Sequence, residues 1–161
     1  MTIAEQAKLK ETEAVVAYMR QKVGEGYLYR YIDSKLDKMS RLDGVLVEGN
    51  SLVAGVEVKW RRYDWDGLMD YHKGEMLVPS DKLMAGQALA YAFGVPTLLL
   101  YLLADCLVAQ TVVAANGDRV NVVREVYEQS NRSTDRERSG VVRRKNSYIS
   151  IEEAEKIPIG L

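Results

Sequence analysis

The stretch DGVLVEGNSLVAGVEVKW, residues 43 to 60, constrains the fold of this 161-residue chain more than any other. Two runs rich in valine flank a Gly-Asn-Ser turn, a pattern that predicts a β-hairpin with strands over 43–48 and 52–60. Glu57 and Lys59 lie two apart in the second strand, so they project from one face of the sheet and the neighbouring valines from the other. Charged residues in such a strand are costly unless they are paired, solvated or bound to a metal. The hairpin therefore predicts a sheet with a polar site on one face.

The predicted hairpin register brings a second carboxylate to that face. A turn at Gly49 and Asn50 pairs residues whose numbers sum to roughly 99 or 100, which places Asp43 opposite residue 56 or 57 and so across from Glu57. Two carboxylates this close repel each other unless a cation lies between them, and hard oxygen ligands with open water positions suit Mg²⁺ or Mn²⁺. Lys59, beside them, could orient or help to deprotonate a water, or stabilise the charge of a phosphoryl transition state.

The elements around the hairpin predict an α/β fold. Thr2 and Glu5 form a capping-box pattern that predicts a helix from residue 3 to about 22. The segment 27–41 is expected to be extended or turn-like, and 61–80 an irregular connection that is long enough to be functional. Ser80 is expected to cap a helix over 81–93, and the apolar run 97–105 predicts a central strand covered on both faces.

The remainder of the chain predicts an elaboration of that core. Residues 106–127 are expected to form a second hairpin, 130–140 a mobile polar loop and 141–150 a last strand. Ser150 and Glu153 suggest a capping box for a short terminal helix over 151–157. The order of elements predicts one domain over 1–161, with a mixed sheet flanked by helices, a core at about 3–104 and an elaboration over 105–161.

Composition narrows the class of protein. The chain is 47% hydrophobic and 28% charged, which is typical of a globular domain. Its apolar runs are shorter than the roughly 18 residues of a membrane helix, and its start lacks a signal-peptide pattern, so we expect a cytoplasmic protein without a membrane partner. A single cysteine, Cys106, excludes a disulfide framework and is expected to be a buried apolar residue.

The charge of the chain does not decide which kind of partner it binds. The net charge is −1, but residues 118–145 carry eight basic and five acidic side chains, a local net charge of +3. Such a segment fits a phosphate-bearing ligand or a solvated loop. Arg61 and Arg62, beside aromatic residues, are candidate nucleic-acid contacts or the end of a strand. Trp60 is expected to pack in the core, and His72 to be incidental.

Asp43 followed by Glu57-Val58-Lys59 resembles the site pattern of the PD-(D/E)XK nuclease superfamily, whose fold is called restriction-endonuclease-like. The 14-residue gap bridged by one hairpin and the αβββαβ order of elements also match over about residues 3–104. The chain departs from the motif before Asp43, where Leu42 replaces proline. The resemblance implies that Asp43, Glu57 and the Val58 carbonyl hold the metal.

Gln87 and Tyr91 add a second match, because RecB-type exonucleases carry a Q-x-x-x-Y pattern on the helix after the E-x-K strand. The two residues share a helix face. The resemblance implies that Tyr91 contacts the DNA backbone and that Gln87 orients Lys59. Members often add a glutamate from the first helix as a metal ligand. Glu13 is the first candidate here, followed by Glu11 and Glu5.

The implied function is a Mg²⁺- or Mn²⁺-dependent deoxyribonuclease that hydrolyses DNA phosphodiester bonds. Its size is closest to junction resolvases, which work as dimers, and to phage-type exonucleases, which often form rings, so the implied process is phage or mobile-element recombination or repair and a homo-oligomer is compatible with both. Two alternatives stay open. One is a non-catalytic nucleic-acid-binding or assembly module on the same fold, and the other is a plain regulatory or interaction protein.

Overall fold

The computed structural model describes residues 1–34, 42–131 and 141–160. The prediction of a mobile polar loop falls almost entirely on 132–140, outside the described residues, as does the end of the 27–41 segment. The described chain contains two main helices, nine strands and one π-helical turn. Their bounds are α1 Ile3–Gly24, β1 Tyr29–Asp33, β2 Gly44–Glu48, β3 Ser51–Trp60, π-helical turn Gly67–Tyr71, β4 Glu75–Pro79, α2 Ser80–Phe93, β5 Thr97–Leu102, β6 Cys106–Val113, β7 Val122–Asn131, β8 Val141–Ser150 and β9 Glu155–Pro158.

The fold is α/β, with a mixed six-stranded sheet in the order β1-β2-β3-β5-β6-β9 and a second sheet in the order β4-β8-β7. Strands β1, β2 and β3 form an antiparallel meander, and the chain then crosses through α2 to β5, which lies parallel to β3. The expected mixed sheet flanked by helices is therefore present. In the part of the chain that is described, no helix is long and apolar enough to cross a membrane.

The predicted hairpin is confirmed, including its register. Gly44 pairs with Val56 and Glu48 with Ser51, so the paired numbers sum to 100 and 99, with an irregularity after Leu46. Asp43, which precedes β2, continues the pairing because its backbone N–H donates to the Val56 carbonyl at 3.1 Å. The position of the turn at Gly49 and Asn50 was sufficient to define this pairing.

Two hydrophobic clusters lie on the two faces of the six-stranded sheet. Helix α1 covers one face through Ala14, Val15 and Tyr18, which pack against Val56 and Val58 of β3. Its capping box is formed by Thr2 and Glu5 as predicted. The other face is covered by α2 and the second sheet through apolar residues that include Leu83, Met76, Val78, Leu99, Tyr101 and Ile149.

Several predicted elements were wrong. The terminal helix over 151–157 is instead strand β9, because Ile157 is buried against β6 in antiparallel pairing with Leu107. The connection 61–80 contains the π-helical turn and strand β4. Ser80 is the first helical residue and not the cap, since Pro79 occupies the N-cap position and the Ser80 hydroxyl lies 2.7 Å from that of Ser147.

The second hairpin over 106–127 was also wrong. Strand β6 pairs with β5 and β9, whereas β7 leaves this sheet and pairs with β8. Asn121, whose φ of 61° is left-handed, lies directly before β7, where the chain changes direction. Residues 141–150 form a strand as predicted, but β9 follows it, so it is not the last strand. Because β6 and β9 belong to the main sheet, the chain beyond residue 104 extends that sheet as well as elaborating it.

Candidate functional site

The candidate site lies where β2 ends beside β3. Because β2 begins only at Gly44, the edge of β3 at Val58 has no backbone partner in β2. The Asp43 carboxylate takes that place, and its Oδ2 accepts a hydrogen bond from the Val58 N–H at 2.7 Å. In a strand the N–H and C=O of one residue point to the same side. The Val58 carbonyl therefore points toward Asp43, as the predicted metal set requires.

Glu57 is almost completely enclosed, with 1% of its surface exposed. Its Oε2 lies 3.0 Å from the Lys59 ammonium and its Oε1 3.9 Å from that of Lys82. Neither oxygen receives a hydrogen bond of normal geometry from the residues that the structure describes. Burial raises the pKa of Glu57 to about 8, against the opposing effect of Lys59, and the nearby Asp43 carboxylate raises this pKa further.

Lys82 was not predicted as a site residue. It lies in the first turns of α2, on the helix face whose Gly86 packs tightly against Thr97. A Cβ on Gly86 would come within 2.6 Å of the Thr97 hydroxyl, so this glycine permits the close approach of α2 to the sheet. The short distance between helix and sheet brings Lys82 to Glu57. A lysine early in a helix is too common to have indicated this contact.

Gln87 and Tyr91 do share a face of α2, but their contacts lie elsewhere. The Gln87 amide donates to the Gly117 carbonyl at 2.9 Å and accepts from Arg119 Nε at 3.2 Å. The Tyr91 ring lies against Gly117, where a Cβ would come within 2.2 Å of it, and the side chain is 72% exposed. The structure thus brings Lys82 to Glu57 and leaves Gln87 beside the turn after β6, so a role for Gln87 in orienting Lys59 has no contact to support it.

Glu13 is not brought to the two carboxylates. It pairs with Lys10 at 3.1 Å, and Lys10 lies over the ring of Trp60, on the α1 side of the sheet. Glu57 projects from the opposite side. Trp60 packs against the α1 cluster, as its alternation with Glu57 predicts.

Tyr31, which was not predicted, packs on the α1 side of the sheet but is close enough to the site for the charges of Asp43 and Glu57 to act on it. Its hydroxyl is buried, lacks a hydrogen-bond partner among the described residues, and lies where a Cβ on Gly44 would come within 2.5 Å of it. Burial and the carboxylates of Glu11 and Asp43 raise the pKa of Tyr31, which keeps the phenol protonated. Of the α1 glutamates named above, Glu11 is therefore the one whose charge reaches this region.

The two arginines after β3 lie on different sides of the sheet. Arg61 continues the ladder to β5 through its N–H, which donates to the Leu102 carbonyl at 2.9 Å, and so projects with Glu57 and Lys59. The Arg62 guanidinium lies 5.6 Å from the centre of the Trp60 ring, on the α1 side. His72 stacks on Tyr63 with ring centroids 4.2 Å apart, and Cys106 is buried as predicted.

The oxygen ligands at the site fit a hard divalent cation. Asp43 and Glu57 could supply carboxylates and the Val58 carbonyl a third oxygen, and the buried Glu57 carboxylate is contacted by the Lys59 ammonium at 3.0 Å and by that of Lys82 at 3.9 Å. No group of three or more His, Cys, Asp or Glu side chains converges as a metal site within 1–34, 42–131 and 141–160. A small oxygen set of this kind suits Mg²⁺, which retains several waters and takes phosphate oxygens.

The fold and the site together define an α/β protein in which carboxylates and lysines surround the buried Glu57, where β2 ends beside the interior strand β3 of a mixed sheet. Comparison of the chain with protein-family models, with curated proteins and with solved structures found no match.

Proposed function

We propose that this protein is a metal-dependent deoxyribonuclease that hydrolyses phosphodiester bonds, on a fold of the PD-(D/E)XK type. The observation that carries this proposal is the position of Asp43, anchored by the Val58 N–H at 2.7 Å, beside the buried Glu57 and its partner Lys59. A buried carboxylate beside a second, half-buried one is unfavourable on its own. The pair is explained if a cation binds between the two carboxylates.

The order of elements supports the same fold. Helix α1, the meander β1-β2-β3, helix α2 and the parallel strand β5 follow the αβββαβ order of that superfamily, with Asp43 directly before the second strand and Glu57 in the third. Strand β4 and the second sheet are additions between and after these elements.

Asp43, Glu57 and the Val58 carbonyl would hold Mg²⁺ or Mn²⁺. When bound, such an ion supplies charge stabilisation at the phosphate and lowers the pKa of a coordinated water. The chain itself supplies two ammonium groups, since Lys59 and Lys82 both lie beside Glu57. Lys59 would orient the attacking water or hold the phosphate, and Lys82 would stabilise charge that develops on the non-bridging oxygens.

A non-catalytic nucleic-acid-binding module is the second candidate, and the two lysines favour it. Lys59 and Lys82 can offset the charge of Glu57 without a metal, so the cluster could be a purely structural one. The raised pKa of Glu57 also favours a structural cluster without a metal, because the protonated acid needs no cation.

Cleavage assays separate the two candidates. The purified protein is incubated with linear, nicked and four-way-junction DNA in Mg²⁺, Mn²⁺ or EDTA. The nuclease proposal expects metal-dependent cleavage that falls on the order of 10²-fold or more in Asp43→Asn and Lys59→Gln. Lys8→Gln, which alters an exposed lysine of α1, serves as the matched control and keeps full activity.

The choice of substrate also separates the kinds of nuclease. Preferential cleavage of linear ends indicates an exonuclease, and preferential cleavage of the junction indicates a resolvase. DNA binding without cleavage of any substrate in either metal would contradict the nuclease proposal and favour the binding module.

A further inference from the structure

A cleft of about 520 Å³ lies beyond the carboxyl end of β3, on the sheet face that carries Glu57 and Lys59. Arg61 connects the cleft to the candidate site, because Arg61 follows Lys59 by two residues and therefore projects from the same face of the sheet. Most of the side chains that line this cleft are basic or aromatic, and the others are Glu75 and Leu77. The basic and aromatic side chains include Arg61, Tyr71, His72, Lys73, Arg124 and Tyr148.

Arg61 is held in place for binding. Its Nε donates to the Tyr101 hydroxyl at 3.1 Å, and its two terminal nitrogens donate to the carbonyls of Trp60 and Leu77 at 3.0 and 3.2 Å. These contacts use three of the five N–H groups of a guanidinium. The remaining donors belong to a side chain whose orientation is already fixed, which suits the recognition of a phosphate.

The charge of the cleft favours an anion. Its lining holds three cations, Arg61, Lys73 and Arg124, and one acid, Glu75. Glu75 is paired with Arg124 at 3.1 Å, which leaves Arg61 and Lys73 as positive charges without an acidic partner in the lining.

Tyr71 is the aromatic residue of the cleft whose ring is open to solvent. Tyr71 is 88% exposed, and beside it in the chain His72 is stacked on Tyr63, with ring centroids 4.2 Å apart. An exposed ring next to a stacked pair is a platform on which a nucleobase can stack. With 88% of its surface exposed, Tyr71 packs little against the residues that the structure describes.

The backbone at this position is unusual. Tyr71 ends a π-helical turn. This conformation is rare in proteins, and where it occurs it is frequently at a functional site. Lys73 then has a φ of 58°, in the left-handed region that non-glycine residues seldom adopt, and Gly74 follows at 69°. Strain of this kind clusters at ligand sites.

We propose that this cleft binds one nucleotide unit, with its base stacked on Tyr71 and its phosphate held by Arg61 and Lys73. The inference rests on the proposed function, because it makes the cleft the place where the nucleotide next to the cleaved bond is held. The same chemistry is offered by a nucleotide within a single strand and by a free mononucleotide. Competition by a free mononucleotide distinguishes these two ligands.

The experiment measures binding in EDTA, where cleavage is absent. Fluorescence anisotropy of a labelled oligothymidylate is followed with wild-type protein, Tyr71→Ala and Lys73→Gly. Tyr71→Ala is expected to weaken binding about tenfold, as loss of one base stack does, and Tyr71→Phe to retain it. Tyr127→Ala, which removes a 63% exposed tyrosine outside the cleft, is the matched control and should change affinity less than twofold.

A second measurement locates the base. An oligonucleotide that carries 5-iodouracil is photocrosslinked to the wild-type protein, and the crosslinked peptide is expected to contain Tyr71 or His72. Competition by deoxythymidine monophosphate indicates a pocket for a free nucleotide. Its failure to compete, with binding still dependent on Tyr71, indicates recognition within a strand. Unchanged affinity in Tyr71→Ala, no binding by the wild-type protein, or crosslinks only outside residues 61–75 would overturn the proposal.

The two proposals fail in different experiments. Glu57→Gln removes the carboxylate from the site and leaves the cleft intact, so it should abolish cleavage and retain Tyr71-dependent binding in EDTA. If neither the wild-type protein nor any variant cleaves DNA but Tyr71-dependent binding persists, the nuclease proposal is excluded and the nucleotide-binding proposal for the cleft is retained. If the wild-type protein cleaves DNA and Tyr71→Ala binds with normal affinity, the nuclease proposal is retained and the nucleotide-binding proposal for the cleft is excluded.

Discussion

At the scale of single residues, Glu57 has the most unusual environment in the described chain. It is buried between two lysines and beside a second carboxylate, and burial is the largest effect on its pKa. Removal of a carboxylate from water favours the protonated acid, and Lys59 and Lys82 offset this only in part. Glu57 can therefore change its charge near neutral pH, which few carboxylates do.

The free energy of unfolding should depend on pH because Glu57 ionises at different pH values in the folded and unfolded states. Unfolded Glu57 ionises near pH 4.5 and folded Glu57 near pH 8, so between these values the folded state binds more protons. The stabilising contribution of the protonated acid is complete below about pH 4.5 and is lost as the pH rises through 8. At about 1.4 kcal/mol per unit, the free energy of unfolding of the wild-type protein should fall relative to Glu57→Gln by on the order of 4 kcal/mol.

Urea denaturation in EDTA at a series of pH values from 5 to 9 measures this difference. Glu153→Gln changes an exposed glutamate and is the control, because its stability should follow that of the wild-type protein at every pH. Parallel curves for the wild-type protein and Glu57→Gln would show that the Glu57 pKa is not raised.

At the scale of elements, local signals predicted α1 and the hairpin of β2 and β3. The capping box of Thr2 and Glu5 and the alternation around Glu57 depend on neighbours in the sequence. Strand β9 could not be predicted in this way, because the Ser150–Glu153 pattern favours a helix locally. The pairing of Ile157 with Leu107, 50 positions away, overrides that preference.

The same distinction applies to the site. The pairing of Asp43 with Glu57 follows from the register of one hairpin, and the sequence predicts it. Lys82 depends on how α2 is rotated and how closely Gly86 lets it approach the sheet. The i, i+4 spacing correctly placed Gln87 and Tyr91 on one face of α2 but carries no information on what that face contacts.

The packing of β9 should be important for stability. Ile157→Ala removes a side chain that is only 2% exposed within the cluster beneath α1, and we expect a loss of about 2–4 kcal/mol in the free energy of unfolding. Ile32→Ala is the matched control, since Ile32 lies in β1, the opposite edge strand, and is 48% exposed. Thermal and urea denaturation measure both variants. An equal effect of the two substitutions would contradict the pairing of β9 with β6.

At the scale of the whole molecule, the site joins segments that are distant in the sequence. Asp43 precedes β2, Glu57 and Lys59 belong to β3, and Lys82 comes from α2 after the chain has passed through β4. In the unfolded chain these groups do not form a site. Any cation that binds them therefore stabilises the folded state.

This linkage between cation binding and folding gives a test of the proposed metal site that does not depend on cleavage. A divalent cation binds ionised carboxylates, so below pH 8 it must displace the proton of Glu57, and stabilisation by Mg²⁺ should increase as the pH rises from 6 to 8.5. At 100 times its dissociation constant the ion contributes about 2.7 kcal/mol, or roughly 5–10 °C in Tm for a chain of this size. Asp43→Asn and Glu57→Gln should lose this shift, and Glu153→Gln should keep it. A shift that is independent of pH, or that survives in Glu57→Gln, would place the ion elsewhere on the protein.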